Sequence, residues 1–131
     1  MDQDSKNNIR RKEVKNILIV DDEPDNLFLI KTYLKKENVN LVLANSGKEG
    51  VEFAKSQKFD FIFMDLNMPD LSGIESAKLI RSKSKSSESY IIALSAFNKN
   101  EISFTHLFND FVGKPLAKKE LLSKLSLSLT R

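Results

Sequence analysis

Three segments of the chain, Asn16–Val20, Phe59–Met64 and Tyr90–Leu94, are built on apolar runs with little polar interruption. A strand wetted on one face alternates apolar and polar residues, so these runs read as strands buried on both faces. Between them the apolar spacing becomes helical. Pro24 suits the first turn of a helix, and Leu27, Ile30, Tyr33 and Leu34 recur at helical intervals to about Glu37. Asn40–Ala44 reads as a second strand. Ser46 and Glu49 form a capping box for a helix that turns Val51 and Ala54 inward. After Gly73, the spacing of Ile74, Ala77, Leu79 and Ile80 gives a third helix. A Ser- and Lys-rich stretch, Ser82–Ser89, is expected to be an exposed, flexible loop. A shorter helical piece follows near Lys99–Leu107, then a short strand at Asp110–Gly113 that Pro115 stops from continuing. Leu121, Leu122, Leu125 and Leu129 line a last helix. Strands alternating with helices predict an α/β fold, a parallel sheet with helices on both faces.

Composition narrows the function. The 131 residues suffice for one domain, and 40% hydrophobic with 30% charged residues is ordinary for a globular chain. The absence of cysteine rules out disulfides and thiolate metal sites. No segment has the roughly 18 consecutive apolar residues of a membrane span, and the leader has no signal-peptide core. The reading is therefore a cytoplasmic protein. Much of the net charge of +3 sits in the leader, where Lys6, Arg10, Arg11, Lys12 and Lys15 face Asp2, Asp4 and Glu13. Residues 1–14 are expected to form a polar tail and 15–129 the folded domain. The body lacks the basic patch of a nucleic-acid reader.

Ligands of open parallel sheets bind beyond the C-terminal strand ends. Those ends carry Asp21 and Asp22, then Asp65, Ser95 and Lys114. Each has a bland reading: a helix cap, a turn former, a turn hydroxyl, a solvated lysine. It is their coincidence on one rim that suggests a site. Two unit charges about 4 Å apart repel by roughly 4 kcal/mol at an effective dielectric near 20. Three carboxylates together need protons or a cation. Oxygen ligands without His or Cys favour Mg²⁺, with Mn²⁺ able to substitute. A phosphoryl group fits such a site: Lys114 and Ser95 meet its oxygens and the Asp65 carboxylate attacks phosphorus.

Asp21-Asp22-Glu23-Pro24, Met64-Asp65-Leu66-Asn67-Met68-Pro69-Asp70-Leu71-Ser72-Gly73, Ala93-Leu94-Ser95-Ala96 and Lys114-Pro115 resemble the receiver domain of two-component response regulators, of the chemotaxis-Y type. The resemblance covers roughly Lys15 to Leu127. It implies a flavodoxin-like, doubly wound five-stranded sheet in the order 2-1-3-4-5. It implies Asp65 as phosphoacceptor, and Mg²⁺ on Asp65, on Asp22 directly, on Asp21 through water and on the Asn67 backbone carbonyl. Ser95 matches the switching hydroxyl, Lys114 the lysine that bonds the phosphoryl group, and Phe111 the rotating aromatic. The implied partners are a histidine kinase or phosphotransfer protein and an output protein. A free-standing receiver and one from a hybrid sensor histidine kinase are equally compatible. With no residues after Arg131, no DNA-binding output is expected from this chain.

Two features depart from the family pattern. Ser95 and Lys114 are 19 positions apart, about three fewer than expected, so the fourth helix or its loops must be shortened. Leu107-Phe108-Asn109 also replaces the usual glycine ahead of the fifth strand. Phe97 is expected near the path of an attacking water, where its bulk would slow loss of the phosphoryl group. His106, the only histidine, reads as an ordinary surface residue. Two alternatives remain at this point. One is a receiver-like scaffold that works without phosphorylation. The other is a phosphatase of the haloacid dehalogenase type, disfavoured because Asp21-Asp22-Glu23 and Asp65-Leu66-Asn67 both lack its Asp-x-Asp. A flavin mononucleotide carrier would share the winding, but its phosphate would meet an acidic loop. No separate substrate turnover is expected.

Overall fold

The computed structural model describes residues 14–96 and 105–129. Strands β1 (Lys15–Val20), β2 (Val39–Ala44), β3 (Phe61–Asp65), β4 (Tyr90–Ser95) and β5 (Asp110–Gly113) form one sheet in the order β2-β1-β3-β4-β5. All four pairings are parallel. Among the described residues the helices are α1 (Pro24–Tyr33), α2 (Gly47–Ser56), α3 (Gly73–Lys83) and α4 (Lys118–Leu129), with a 3₁₀ turn at Thr105–Leu107. The helical piece expected at Lys99–Leu107 otherwise lies outside the described residues, as does the expected tail as far as residue 13.

The apolar runs produce this architecture because side chains alternate across a strand. Ile17, Ile19, Phe61, Phe63, Ile92 and Leu94 pack with Ile30 and Leu34 and with Leu121 and Leu125 of α4. Leu18, Val20, Ile62, Met64, Ile91 and Ala93 face the other way, against Val51 and Ala54 of α2 and Ala77 and Ile80 of α3. Each Val, Leu, Ile, Phe or Met side chain among these, fully buried, contributes roughly 1.5–3 kcal/mol. Leu79 shares the spacing of α3 but stands outward, 46% exposed.

Local chemistry sets the boundaries. Helix α1 stops at Tyr33 rather than near Glu37, because the chain tightens: the Lys35 N–H bonds the Thr32 carbonyl at 3.2 Å. The capping box of α2 is offset by one residue. Ser46 Oγ accepts from the Glu49 N–H, but Glu49 reaches back to the Asn45 N–H rather than to that of Ser46.

The Ser82–Ser89 stretch is not the exposed, flexible loop that its composition predicts. Helix α3 continues to Lys83, and Ser86 and Ser89 are buried. Ser86 Oγ accepts from the Phe59 N–H at 2.9 Å and donates to the Gln57 carbonyl at 2.8 Å, while the Ser89 hydroxyl donates to the Phe59 carbonyl. Arg81 closes the segment over, donating to the Ser87, Ser89 and Leu107 carbonyls and to the Asn109 side chain. The serines substitute for a strand pairing just ahead of β3. Ser86→Ala orphans the buried Phe59 N–H and removes a donor from the carbonyl of Gln57, an exposed residue. It should cost about 1–3 kcal/mol in urea unfolding; an unchanged midpoint would show these groups to be hydrated.

Candidate functional site

The sheet register assembles the acids. Val20 pairs with Met64 across β1 and β3, so Asp21 and Asp65 come next on adjacent strands. The pleat gives Asp21 the face of Ile17 and Ile19, and Asp65 that of Phe61 and Phe63. Asp21 is 0% and Asp65 1% exposed; Asp22, partly buried, turns toward them. One oxygen from each of the three lies within 4.8 Å of the others. Asp21 does not cap α1. The N-cap is Glu23, which makes no side-chain cap, and Asp21 Oδ1 accepts the Glu23 N–H at 2.9 Å.

Lys114 completes the cluster from the far side of β4. Gly113 pairs with Ser95, and the Lys114 N–H bonds the Ser95 carbonyl at 2.8 Å. Its ammonium then lies 2.9 Å from Asp65 Oδ1 and 3.5 Å from Asp21 Oδ2. It is not the solvated loop lysine of the bland reading.

The electrostatics are unbalanced. Burial pushes the Asp65 carboxyl up to about 6; the Lys114 hydrogen bond opposes this and the Asp21 charge adds to it. Burial alone would lower the Lys114 pKa, but Asp65 and Asp21 more than offset that, and it rises. Among the described residues, one ammonium serves two buried carboxylates, and Asp21 Oδ2 has no hydrogen-bond partner in its buried position. An oxygen so placed, beside two more carboxylates, fits a hard divalent cation.

The remaining predicted residues surround this centre. Ser95, 2% exposed, ends β4 one step beyond the partner of Asp65. Asn67 is exposed, and its N–H reaches Asp65 Oδ1 at 3.3 Å. Asp70 holds a left-handed φ of 66°, which aspartate tolerates in a turn. Phe111 is partly buried, its ring centroid 5.8 Å from that of Phe108. His106 is exposed on the 3₁₀ turn. Phe97 lies outside the described residues. The sequence reading missed the Ser72–Glu75 capping box that starts α3, although Ser-x-x-Glu was legible.

The fold and the acid pocket define a doubly wound α/β protein with three carboxylates clustered on the C-terminal rim of its sheet. Residues 17–126 match the response regulator receiver domain family, and the chain belongs to it. Receiver domains are signalling switches, not enzymes that turn over a free substrate. The chain is 33% identical over 108 residues to the signal transduction histidine-protein kinase BarA of Escherichia coli, covering 80% of this chain and 12% of the kinase. It is 32% identical over 116 residues to the response regulator ArlR of Staphylococcus epidermidis, covering 88% of this chain and 53% of that protein. The chain thus spans about half of one relative and about an eighth of the other. Among solved structures it resembles the receiver domain of a sensor histidine kinase from Pseudomonas aeruginosa that holds a magnesium ion in its active-site cleft (TM-score 0.78, 28% identity, 91% of this chain and 100% of that one). The chemotaxis protein CheY4 of Vibrio cholerae shares the fold (TM-score 0.81, 24% identity, 88% and 99% covered). Among the described residues, no helix is long and apolar enough to cross a membrane.

Proposed function

We propose that residues 15–129 form a phosphoacceptor switch of a two-component phosphorelay, working in the cytoplasm, with Asp65 as the acceptor. The observation that carries this is Lys114 held between Asp65 and Asp21 while Asp21 Oδ2 has no hydrogen bond among the described residues. The donor is a phosphohistidine on a histidine kinase or phosphotransfer protein. An Asp65 carboxylate oxygen forms the new O–P bond as the N–P bond breaks, and the departing ring nitrogen keeps the electron pair and takes a proton. Asp21, Asp22, Asp65 and the Asn67 carbonyl are the groups for Mg²⁺, or Mn²⁺ in its place. The ion supplies charge neutralisation for the phosphoryl oxygens. Lys114 exchanges part of its bond to Asp65 for a bond to one of those oxygens. Ser95 Oγ donates to another, and Phe111 follows it inward, which changes the surface offered to an output protein. Reversing a 1:99 population requires phosphorylation to favour the active state by roughly 5.5 kcal/mol.

Incubation with a small acyl phosphate and Mg²⁺, read by intact mass, should add one phosphoryl group per chain, and chelation of the metal should prevent it. Labelling that ignores chelation would refute the metal assignment. A chain that never labels would favour the phosphorylation-independent scaffold.

A further inference from the structure

We infer that Tyr33 is a positioning residue for phosphoryl transfer, its hydroxyl holding the loop that presents Lys114. This rests on the proposed role of Lys114 at Asp65.

The lysine sits in a short connection. Strand β5 ends at Gly113 and α4 starts at Lys118. The near end of the connection is pinned by the Lys114 N–H on the Ser95 carbonyl at 2.8 Å. Pro115 carries no N–H to pin the next position, and among the described residues nothing lies within 4 Å of where a Gly113 Cβ would stand. The far end is fixed by Leu116. Its side chain, 6% exposed, enters the core under α1 and α4. Its carbonyl accepts from the Tyr33 hydroxyl at 3.0 Å, across 83 positions of sequence. Two fixed points, one on each side of Lys114, thus set where its ammonium reaches.

Tyr33 is placed for this by α1. That helix starts at Pro24, directly after Asp21-Asp22-Glu23, and packs against α4. Long helical side chains lean toward the N-terminus, so from the last turn of α1 the phenol reaches back toward the rim. One rigid element therefore joins the metal-ligating acids to the lysine loop. The Tyr33–Leu116 bond fixes the spacing between the two halves of the site. Phosphoryl transfer depends on that spacing, because a misplacement of about 1 Å can cost on the order of 100-fold in rate.

Tyr33→Phe removes the hydroxyl and keeps the ring in its packing. The test compares this variant with wild type in two measurements: labelling rate by an acyl phosphate at saturating Mg²⁺, and Mg²⁺ affinity by calorimetry. Labelling should slow roughly fivefold, the rate equivalent of one hydrogen bond. Mg²⁺ affinity should not weaken, because the acids directly follow β1 and end β3, and a loosened Lys114 competes less for them. Unchanged labelling, or labelling and Mg²⁺ affinity falling together as the fold loosens, would overturn the positioning role. Absence of labelling in wild type would instead count against Asp65 as acceptor, so the two failures are separable.

Discussion

Asp65→Asn should abolish phosphoryl labelling and, in metal-free buffer at neutral pH, should leave the domain more stable than wild type. The first effect follows from chemistry: a carboxamide is too weak a nucleophile to displace the donor from phosphorus. The second follows from linkage. The Asp65 pKa in the folded state is about 6, above its ordinary value of 3.8, because burial and the Asp21 charge outweigh the Lys114 hydrogen bond. The folded state therefore holds the proton more tightly than the unfolded chain. That stabilisation is complete below pH ~4 and is lost as pH rises through about 6. A separation of about two pH units corresponds to about 3 kcal/mol as an upper figure. Asparagine has no charge to desolvate, and its carbonyl oxygen still accepts from Lys114. Thermal unfolding in chelator should show the two proteins converging near pH 4 and separating above pH 6, with the variant higher by on the order of 5–10 °C. Adding Mg²⁺ should raise the wild-type midpoint more than that of the variant. A variant that still labels, or that melts below wild type at pH 7.5 without metal, contradicts this account of the pocket.

The same comparison shows what could be read from the residues in order. Unbroken apolar runs announced buried parallel strands, and the strand ends announced Asp21, Asp22, Asp65, Ser95 and Lys114, because β-structure delivers consecutive side chains to fixed faces and ends. Period and polarity are local properties, and they survive without coordinates. Ser86, Ser89 and Arg81 were not legible. Their composition is that of a solvated loop, and their burial depends on orphaned backbone groups at Gln57 and Phe59, some 30 positions away. Tyr33 was legible only as one more apolar position on a helix, since nothing in its neighbourhood points to Leu116. Asymmetry within the acid pair was likewise hidden: Asp21 is buried, with one oxygen that accepts no hydrogen bond among the described residues, while Asp22 remains in reach of water. Tertiary hydrogen bonds between distant segments leave little trace in periodicity, and that is where the remaining information lay.

Gly73→Ala should damage fold and site together, far more than a surface glycine substitution. Gly73 opens α3 where the chain folds back over the end of β3, and its N–H bonds the Leu66 carbonyl at 3.2 Å. A Cβ there would stand 2.2 Å from the Asp65 carbonyl oxygen, 2.7 Å from Leu66 Cα and 2.9 Å from the Asp65 carbonyl carbon. All three are backbone atoms, so no rotamer change relieves the overlap. Either α3 moves away from the sheet, breaking the packing of Ala77 and Ile80, or the Asp65–Leu66 peptide moves and takes the Asp65 carboxylate with it. Overpacking of this kind costs about 1–3 kcal/mol and sometimes more, out of a total stability of about 5–15 kcal/mol for a domain. We expect the midpoint of thermal unfolding to fall by roughly 10 °C. At temperatures where the variant is still folded, labelling should slow by at least about tenfold, because Asp65, the proposed nucleophile, belongs to the displaced peptide and Asn67 follows directly after it. Gly113→Ala is the matched control, since a Cβ there meets none of the described residues within 4 Å, and it should change the labelling rate by less than about twofold. If Gly73→Ala melts and labels as wild type does, the close approach of α3 to Asp65 is not what holds the acceptor in place.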